Sequence, residues 1–352
     1  MATTGITLIE GNVWTSGLDL LKVETNRSQL EFYIGTGSPL LWSMTTVLNR
    51  DADGYVYVRD LRSLIEPVVA SLPGAPVSFN YSFNVPGGSA ELSKSFTAYM
   101  SRTGISADVA SFISGRFLTL MQNRPKLTAL GRKEYLHLYV SESTPVTVSE
   151  AYWRNGAMVN FTITLTTLAS STSVRTIDVS PSRFVRSGYQ LTQYIVRAGA
   201  RTAVFRIDDL ATDAAPCIVF RNSFGCQETI YCRGTHVDEL KMDRSTAWAD
   251  GELVLYDTHE NREYQAATGI LSPAMAEWAD DLLRSTETYL LDASGNAARR
   301  ITITDHERKY TNDYDELRGF TFKYRPSSRL QTVTLIAGQS NIFDDTFDFT
   351  FN

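Results

Sequence analysis

The chain has 352 residues, of which 43% are hydrophobic, and its formal net charge is -6 at pH 7. This length predicts two or three domains, and the apolar fraction is sufficient for buried cores, which excludes an intrinsically disordered protein. The acidic balance, with Lys and Arg scattered along the sequence, argues against nucleic acid as a partner.

The opening residues, MATTGITLIEGN, have no basic segment followed by an apolar one, and no run of about eighteen apolar residues occurs in the sequence. We therefore expect no membrane partner and synthesis in a cytoplasm-like compartment. Three cysteines, an odd number, fit a reducing environment in which disulfides are not the main cross-links.

Strand-like runs of alternating, β-branched or aromatic residues recur from Leu30–Ile34 to Thr346–Phe351, with turn residues between them. The pattern predicts a mainly β protein with two or more β-sandwich or barrel-like domains. Helical periodicity predicts short helices at Leu61–Ala70, Asp108–Phe117 and Pro273–Arg284. Ser272 is the expected N-cap of the last helix, on which Asp280 and Asp281 are expected to face solvent.

Turn-rich segments predict the domain limits. Residues 1–101 form an N-terminal β domain, residues 102–132 a helical or irregular connector, and residues 133–352 a C-terminal β region. A further division of the C-terminal region near 245–250 is an alternative, although no long linker marks it.

An EF-hand-like arrangement of oxygen ligands follows the first predicted strand, Leu30–Ile34. The four candidate calcium ligands are Asn49, Asp51, Asp53 and Asp60. Calcium prefers such clustered oxygens, with Gly at the sharp bend. The first ligand is Asn and the last is Asp instead of a bidentate Glu, and the residues before Asp60 alternate like a strand. A tight β-turn is therefore the favoured interpretation.

All three cysteines lie within twenty residues, and a histidine follows them. Cys217, Cys226, Cys232 and His236 have the C-x8-C-x5-C-x3-H spacing of CCCH zinc fingers. The residues between the cysteines have instead the apolar, β-branched character of two short strands joined by a turn. Metal ligation, a cross-strand disulfide and simple packing of small apolar side chains all remain open, and packing is favoured.

Counting outward from a turn near Phe224 and Gly225 predicts that Cys217 lies opposite Cys232 and that Ile218 lies opposite Tyr231. Cys226 would then lie at the turn, away from the other two thiols. No nucleophile elbow, phosphate-binding glycine loop or metalloprotease helix motif occurs in the sequence, so neither an enzyme nor a cofactor is expected.

The last residues alternate aromatic and polar side chains and predict a final strand. Phe347, Phe349 and Phe351 share one face, and this strand is a candidate docking element for a neighbouring subunit.

The turn between the cysteines resembles a sequence found in β-rich proteins encoded in tail-gene regions of Bacteroidetes phages and prophages. The residues that carry this resemblance are Phe220, Asn222, Phe224, Gly225 and Glu228. The resemblance implies a virion structural protein made in the bacterial host cytoplasm, such as a tail-tip, baseplate or neck ring component. Its implied partners are other virion proteins and copies of itself.

Two other function classes remain open from the sequence. Trp42, Trp153, Trp248 and Trp278 could be stacking platforms of a carbohydrate-binding β-sandwich module, although Trp in a β-rich chain is usually core. The CCCH spacing, taken alone, indicates a zinc-dependent RNA-binding protein.

Overall fold

The computed structural model describes residues 3–72, 74–208, 216–292, 295–308 and 318–328. Over these residues the protein is mainly β with short helices, which confirms the predicted fold class. The strands form three successive units, here called the N-terminal, middle and C-terminal units, each with its own buried core. The predicted strand with Phe347, Phe349 and Phe351 lies outside the described residues.

The N-terminal unit packs two sheets around a core that includes Leu21, Phe32 and Phe79. Their strand orders are β1-β3-β6 and β2-β8-β7-β4-β5, and helix α1 is Leu61–Ser71. The strands are β1 (Thr4–Thr7), β2 (Gly11–Trp14), β3 (Leu20–Glu24), β4 (Gln29–Thr36), β5 (Ser43–Asn49), β6 (Tyr55–Arg59), β7 (Val77–Asn84) and β8 (Ala90–Tyr99). The burial of alternate residues along β7 shows why its sequence is a half-buried strand.

The middle unit begins with helix α2 (Val109–Gly115), whose N-cap Asp108 accepts a hydrogen bond from the Ser111 amide at 2.8 Å. Its sheets have the strand orders β12-β11-β14-β15-β9 and β10-β13. The strands are β9 (Pro125–Thr128), β10 (Tyr135–Val140), β11 (Thr144–Arg154), β12 (Ala157–Leu168), β13 (Ser171–Asp178), β14 (Gln190–Ala198) and β15 (Arg201–Ile207). Because β9 pairs with β15, the end of the predicted connector 102–132 belongs to this unit.

The C-terminal unit is one sheet of order β17-β16-β20-β21-β22-β19-β18, covered by helix α3 (Pro273–Arg284). The strands are β16 (Cys217–Arg221), β17 (Gln227–Tyr231), β18 (His236–Ala249), β19 (Glu252–Ala267), β20 (Thr288–Leu291), β21 (Ala297–Glu307) and β22 (Thr321–Pro326). As predicted, Ser272 caps α3, and it accepts a hydrogen bond from the Met275 amide at 3.3 Å.

Strands β18 and β19 form a long hairpin, here called the arm, which pairs from His236 opposite Ala266 to Ala249 opposite Glu252 with one bulge at Tyr256. The suggested division near 245–250 is wrong, because these residues form the tip of the arm. The sheets change between Ile207 and Cys217 instead.

The expectation that Asp280 and Asp281 face solvent is also wrong. Both are buried, with 8% and 1% of their surface exposed, because α3 lies over the sheet with Trp278, Asp281 and Leu282 turned inward. None of the helices in the described ranges has the length and apolar character needed to cross a bilayer.

Candidate functional site

The residues that carry the phage resemblance form a buried turn, Asn222–Cys226, between β16 and β17. The Asn222 side-chain oxygen accepts hydrogen bonds from the amides of Phe224 at 2.9 Å and Cys226 at 3.0 Å. Its Nδ2 donates to the Leu118 carbonyl at 2.8 Å and to Glu228 Oε1 at 2.6 Å. These four partners fix the orientation of the amide, because oxygen and nitrogen each face groups of the opposite hydrogen-bonding type.

Glu228 connects the turn to a second buried carboxylate through helix α3 and strand β9. Its Oε2 accepts a hydrogen bond from the Trp278 indole, and Lys126 Nζ lies 4.5 Å from the centre of that ring. Lys126 donates to Glu134 Oε2 at 2.7 Å and to the Thr229 carbonyl at 2.9 Å. Burial raises the pKa of the Glu134 carboxyl, and the Lys126 ammonium opposes that rise.

The turn is also held by helix α3. The amide and hydroxyl of Ser223 donate to the two carboxylate oxygens of Asp281 at 3.0 and 2.6 Å. Burial raises the pKa of the Asp281 carboxyl despite these hydrogen bonds. Asp281 is therefore a structural residue of the helix, not a solvated one.

The apolar side of the same turn reaches the N-terminal unit. Phe224 stacks on Phe112 at 5.4 Å and meets Trp14 edge to face at 6.1 Å between ring centres. The Ser223 carbonyl accepts a hydrogen bond from the Arg102 amide at 2.8 Å. Gly225 has φ +74°, and a Cβ there would lie 3.1 Å from Met100, so its backbone and its neighbour both favour glycine.

One turn therefore joins all three units. We call Lys126, Glu134, Asn222, Glu228, Trp278 and Asp281 the polar junction. The structure brings the predicted residues Phe220, Asn222, Phe224, Gly225 and Glu228 together, whereas Lys126, Glu134 and Asp281 were not predicted from the sequence. Buried groups that are paired with one another in this way are suited to holding units in a fixed arrangement.

His137 extends this network into the middle unit. Its Nε2 is 2.6 Å from the Gln227 carbonyl, and its Nδ1 is 3.0 Å from the Thr176 hydroxyl. The Gln227 carbonyl can only accept, so Nε2 carries the proton, and in the neutral imidazole Nδ1 accepts a hydrogen bond from the Thr176 hydroxyl. Burial, with a smaller contribution from the Lys126 ammonium, lowers the pKa of His137 to about 4.

This histidine predicts a loss of stability in mild acid. The folded pKa of about 4 is below the reference value of 6.5, so the stabilising contribution is complete above pH 6.5 and is lost as the pH falls toward 4. The loss is about 3 kcal/mol at 1.36 kcal/mol per pKa unit. In urea unfolding at pH 7, 5.5 and 4.5, His137→Gln should be less stable than the unmodified protein at pH 7, with a difference that shrinks as the pH falls.

The matched control is His306→Gln, because His306 lies exposed on β21. Its stability should follow that of the unmodified protein at every pH. A difference between His137→Gln and the unmodified protein that is constant from pH 7 to 4.5 would contradict the assignment.

The predicted register of the β16–β17 hairpin is wrong by one residue. Cys217 lies opposite Tyr231, and Ile218 lies opposite Ile230. The reason is the loop: Asn222–Cys226 has five residues, so the hairpin is centred on Phe224 and not between Phe224 and Gly225. Cys226 does lie at the turn, as predicted.

The three cysteines are free and buried, and they pack in three different apolar clusters. Cys217 contacts Ala129 and Tyr231, Cys226 lies with Phe224 and Trp14, and Cys232 belongs to the core under α3. His236 is turned away on β18 and shares a 2.9 Å hydrogen bond with the Tyr324 hydroxyl. In the described ranges no three His, Cys, Asp or Glu side chains are arranged to hold a metal ion.

Burial predicts inert thiols. It raises the pKa of Cys217 to about 11 and raises the pKa values of Cys226 and Cys232 as well. Because the thiolate is the reactive form, a disulfide reagent at pH 8 should titrate the thiols only after denaturation. Protein purified without chelator should contain less than about a tenth of an equivalent of zinc, since structural zinc would be retained. Rapid native labelling or stoichiometric zinc would contradict this prediction.

The structure separates the candidate calcium ligands. Asp51 closes a tight turn, and its Oδ1 accepts hydrogen bonds from the amides of Asp53 at 3.0 Å and Tyr55 at 2.8 Å. Asn49 is on β5 and pairs with the Gln29 side chain at 2.9 Å. Asp60 follows β6, so about 16 Å of extended strand separates it from the turn. The described geometry is that of a β-turn.

No family model matches the sequence, and no curated protein matches it. Among solved structures, the chain is 12% identical to a tetra-tandem repeat in the extending region of a large adhesion protein, with 86% of this chain and 74% of that chain covered and a TM-score of 0.19. It is 10% identical to the native conformation of E. coli alpha-2-macroglobulin, with 86% and 24% covered and a TM-score of 0.19. These likenesses are too low to carry an argument about fold or function.

Proposed function

We propose that this chain is a non-enzymatic structural protein of a tailed-phage virion, which assembles with copies of itself and with other virion proteins as a tail-tip, baseplate or neck component. The observation that carries the assembly role is the arm, since β18 is exposed along its length and both strands carry large exposed apolar side chains near the tip. Large exposed apolar surfaces on soluble proteins mark interaction sites.

The polar junction supports the same role. Its Lys, Glu, Asp and Asn side chains are the residue types of catalytic sites, but they are buried and paired with one another where the three units meet. A component that bears load in an assembly needs its units held in a fixed arrangement. The virion assignment itself rests on the resemblance of the Phe220–Glu228 turn.

Two experiments test this function. Antibody raised against the chain should label one end of the tail in purified phage particles, and the protein should be present in those particles by mass spectrometry. Deletion of residues 341–352, which contain the predicted docking strand, should leave a folded monomer that no longer assembles. Absence from purified particles would overturn the virion role, and an unchanged oligomer mass would overturn the role of the terminal strand.

A carbohydrate-binding module is the second candidate, and the exposure of two tryptophans favours it. Trp153 is 46% exposed and Trp248 is 75% exposed. Trp278 is fully buried, and Trp42 packs against the core of the N-terminal unit. Exposed aromatic rings are the stacking platforms that sugars require. A glycan array separates the candidates: binding that is lost in Trp153→Ala or Trp248→Ala would favour a lectin-like role, and an assembly component should show none.

A further inference from the structure

One face of the arm carries most of its large exposed apolar side chains, although Arg244 interrupts them on β18. Trp248 pairs with Leu253 and Thr246 pairs with Leu255 on one face, and Met242 and Leu240 follow on the same face at alternate positions of β18. We call Leu240, Met242, Trp248, Leu253 and Leu255 the apolar stripe. Their exposed fractions are 47%, 43%, 75%, 58% and 49%. The opposite face of the arm carries Glu239, Lys241 and Asp243, together with exposed Val237 and Val254.

The arm has little support within its own chain. In the described ranges β22 pairs with β19 only from Tyr264 to Ala267, so the rest of the arm is a two-stranded ribbon. Such a ribbon is marginally stable in water unless another strand or surface covers it. The stripe exposes roughly 500 Å² of side chain, which is near the upper limit for the largest apolar patch of a monomer. An exposed ribbon with such a patch is typical of a surface that binds a partner.

Among the described residues, a second edge without a pairing strand lies on the middle unit. Strand β12 is at the end of its sheet and has twelve residues, without a charged residue, proline or glycine among them. Natural edge strands are normally blunted by Lys, Pro, bulges or short length, because an open edge can pair with another chain. The outer face beside this edge carries exposed Trp153, Met158 and Arg197.

The net charge of -6 conceals a strong asymmetry between the units. Residues 102–208 contain thirteen Lys and Arg and six Asp and Glu, which gives +7. The arm, residues 236–267, contains eight Asp and Glu and three Lys and Arg, which gives -5. The arm and the middle unit are therefore complementary in charge, whereas two arms, or two middle units, repel each other.

We propose that β18 of one copy adds to the free edge of β12 of the next copy, so that the arm docks on the middle unit. This proposal rests on the assembly role and names its partner, a second copy of this chain. Arm-to-arm pairing would oppose two charges of -5, and β12-to-β12 pairing would oppose two of +7. A pairing of unlike surfaces is head to tail, and it closes into a ring if the rotation between copies permits.

The dimensions fit such an interface. Strand β18 has fourteen residues and β12 has twelve, and neither contains a proline that would remove a ladder hydrogen bond. A strand pair of this length together with the apolar stripe would give each copy an interface on the order of 800 Å², the size typical of specific complexes. Because part of the attraction is electrostatic, association should weaken as salt is raised.

The test uses two single-cysteine variants of the full chain, Met242→Cys on β18 and Thr164→Cys on β12. Both positions are exposed, and the native thiols are buried, so a bismaleimide of roughly 10 Å, about two strand spacings, reports on the introduced cysteines. Mixing the two variants should give several-fold more cross-linked dimer than either variant alone. The matched control is Thr45→Cys on β5, the exposed edge of the N-terminal unit, mixed with Met242→Cys.

Light scattering of the unmodified protein separates the outcomes. An oligomer whose variants give the mixed dimer supports the proposal. Four results in an oligomer would overturn this pairing but leave the assembly role standing. These are cross-linking of Met242→Cys only to itself, cross-linking of Thr164→Cys only to itself, equal cross-linking through the β5 control, and no cross-linking. A monomer at every concentration and at low salt overturns both.

Discussion

Replacing Lys126 with Met should lower the free energy of unfolding by about 3–5 kcal/mol, the usual cost of leaving a buried charge without its partner. Lys126 is 7% exposed and Glu134 is 2% exposed, and Nζ lies 2.7 Å from the carboxylate. The variant also removes the donor to the Thr229 carbonyl and the cation above Trp278. Urea unfolding followed by fluorescence at pH 7 measures the change.

A double variant identifies the cause. Lys126→Met with Glu134→Leu replaces the buried ion pair by apolar groups and should recover part of the loss, leaving the cost of the Thr229 carbonyl without this donor, about 1–3 kcal/mol. The control is Lys94→Met, because Lys94 pairs with Glu10 at the surface at 2.8 Å and such pairs contribute about 0–1 kcal/mol. A double variant as unstable as Lys126→Met would show that the pair is not the source of the loss.

The single variant should also respond to pH. Without Lys126, burial should raise the pKa of Glu134 further, and a carboxyl with a raised folded pKa contributes stability at low pH that is lost as the pH rises through that pKa. The defect of Lys126→Met should therefore be smaller at pH 5 than at pH 7. A defect that grows in acid would contradict this account of Glu134.

Replacing Asn222 with Ala should have an effect of similar size, about 3–5 kcal/mol, because several buried groups lose their partners together. The amides of Phe224 and Cys226, the Leu118 carbonyl and Glu228 Oε1 each lose a hydrogen bond. The exposed Asn12 on β2 is the control, and Asn12→Ala should change stability by at most about 0.5 kcal/mol.

Asn222→Asp tests the donor side of the same residue. The variant keeps an oxygen for the two amides but places a carboxylate against Glu228, so the two carboxylates cannot both ionise without cost. The variant should be clearly destabilised at pH 7 and approach the unmodified protein as the pH falls, because protonation of the introduced carboxyl group relieves the repulsion. Equal stability of Asn222→Asp and the unmodified protein at pH 7 would show that Nδ2 makes no important contact.

The sequence predicts the fold class and the helices well because both follow local periodicity. Alternation along β7 and the Ser272 cap of α3 are readable from adjacent residues. The burial of Asp281 was predictable from the sequence, since Trp278 and Asp281 are three residues apart and therefore share a helix face. The hairpin register could not be predicted, because the loop length depends on how the Asn222 side chain closes the turn.

The complete polar junction cannot be predicted from the sequence. Asn222 and Glu228 are visible as a motif, but Lys126 lies about a hundred residues earlier and has no local pattern that assigns it to them. The exposure of the arm also depends on which strands border it. The opposite charges of the arm and the middle unit were readable by counting each segment separately.

The three buried cysteines are natural probes of local opening in three regions of the structure. Each sulfur is enclosed by a different cluster, so a thiol reagent can reach it only when that part of the structure opens. The labelling rate of Cys226 measures how often the contact between the units parts, and that of Cys232 measures how often the core under α3 opens. Cys217 reports the small cluster with Ala129 and Tyr231, so one experiment on unmodified protein ranks the motions of three regions.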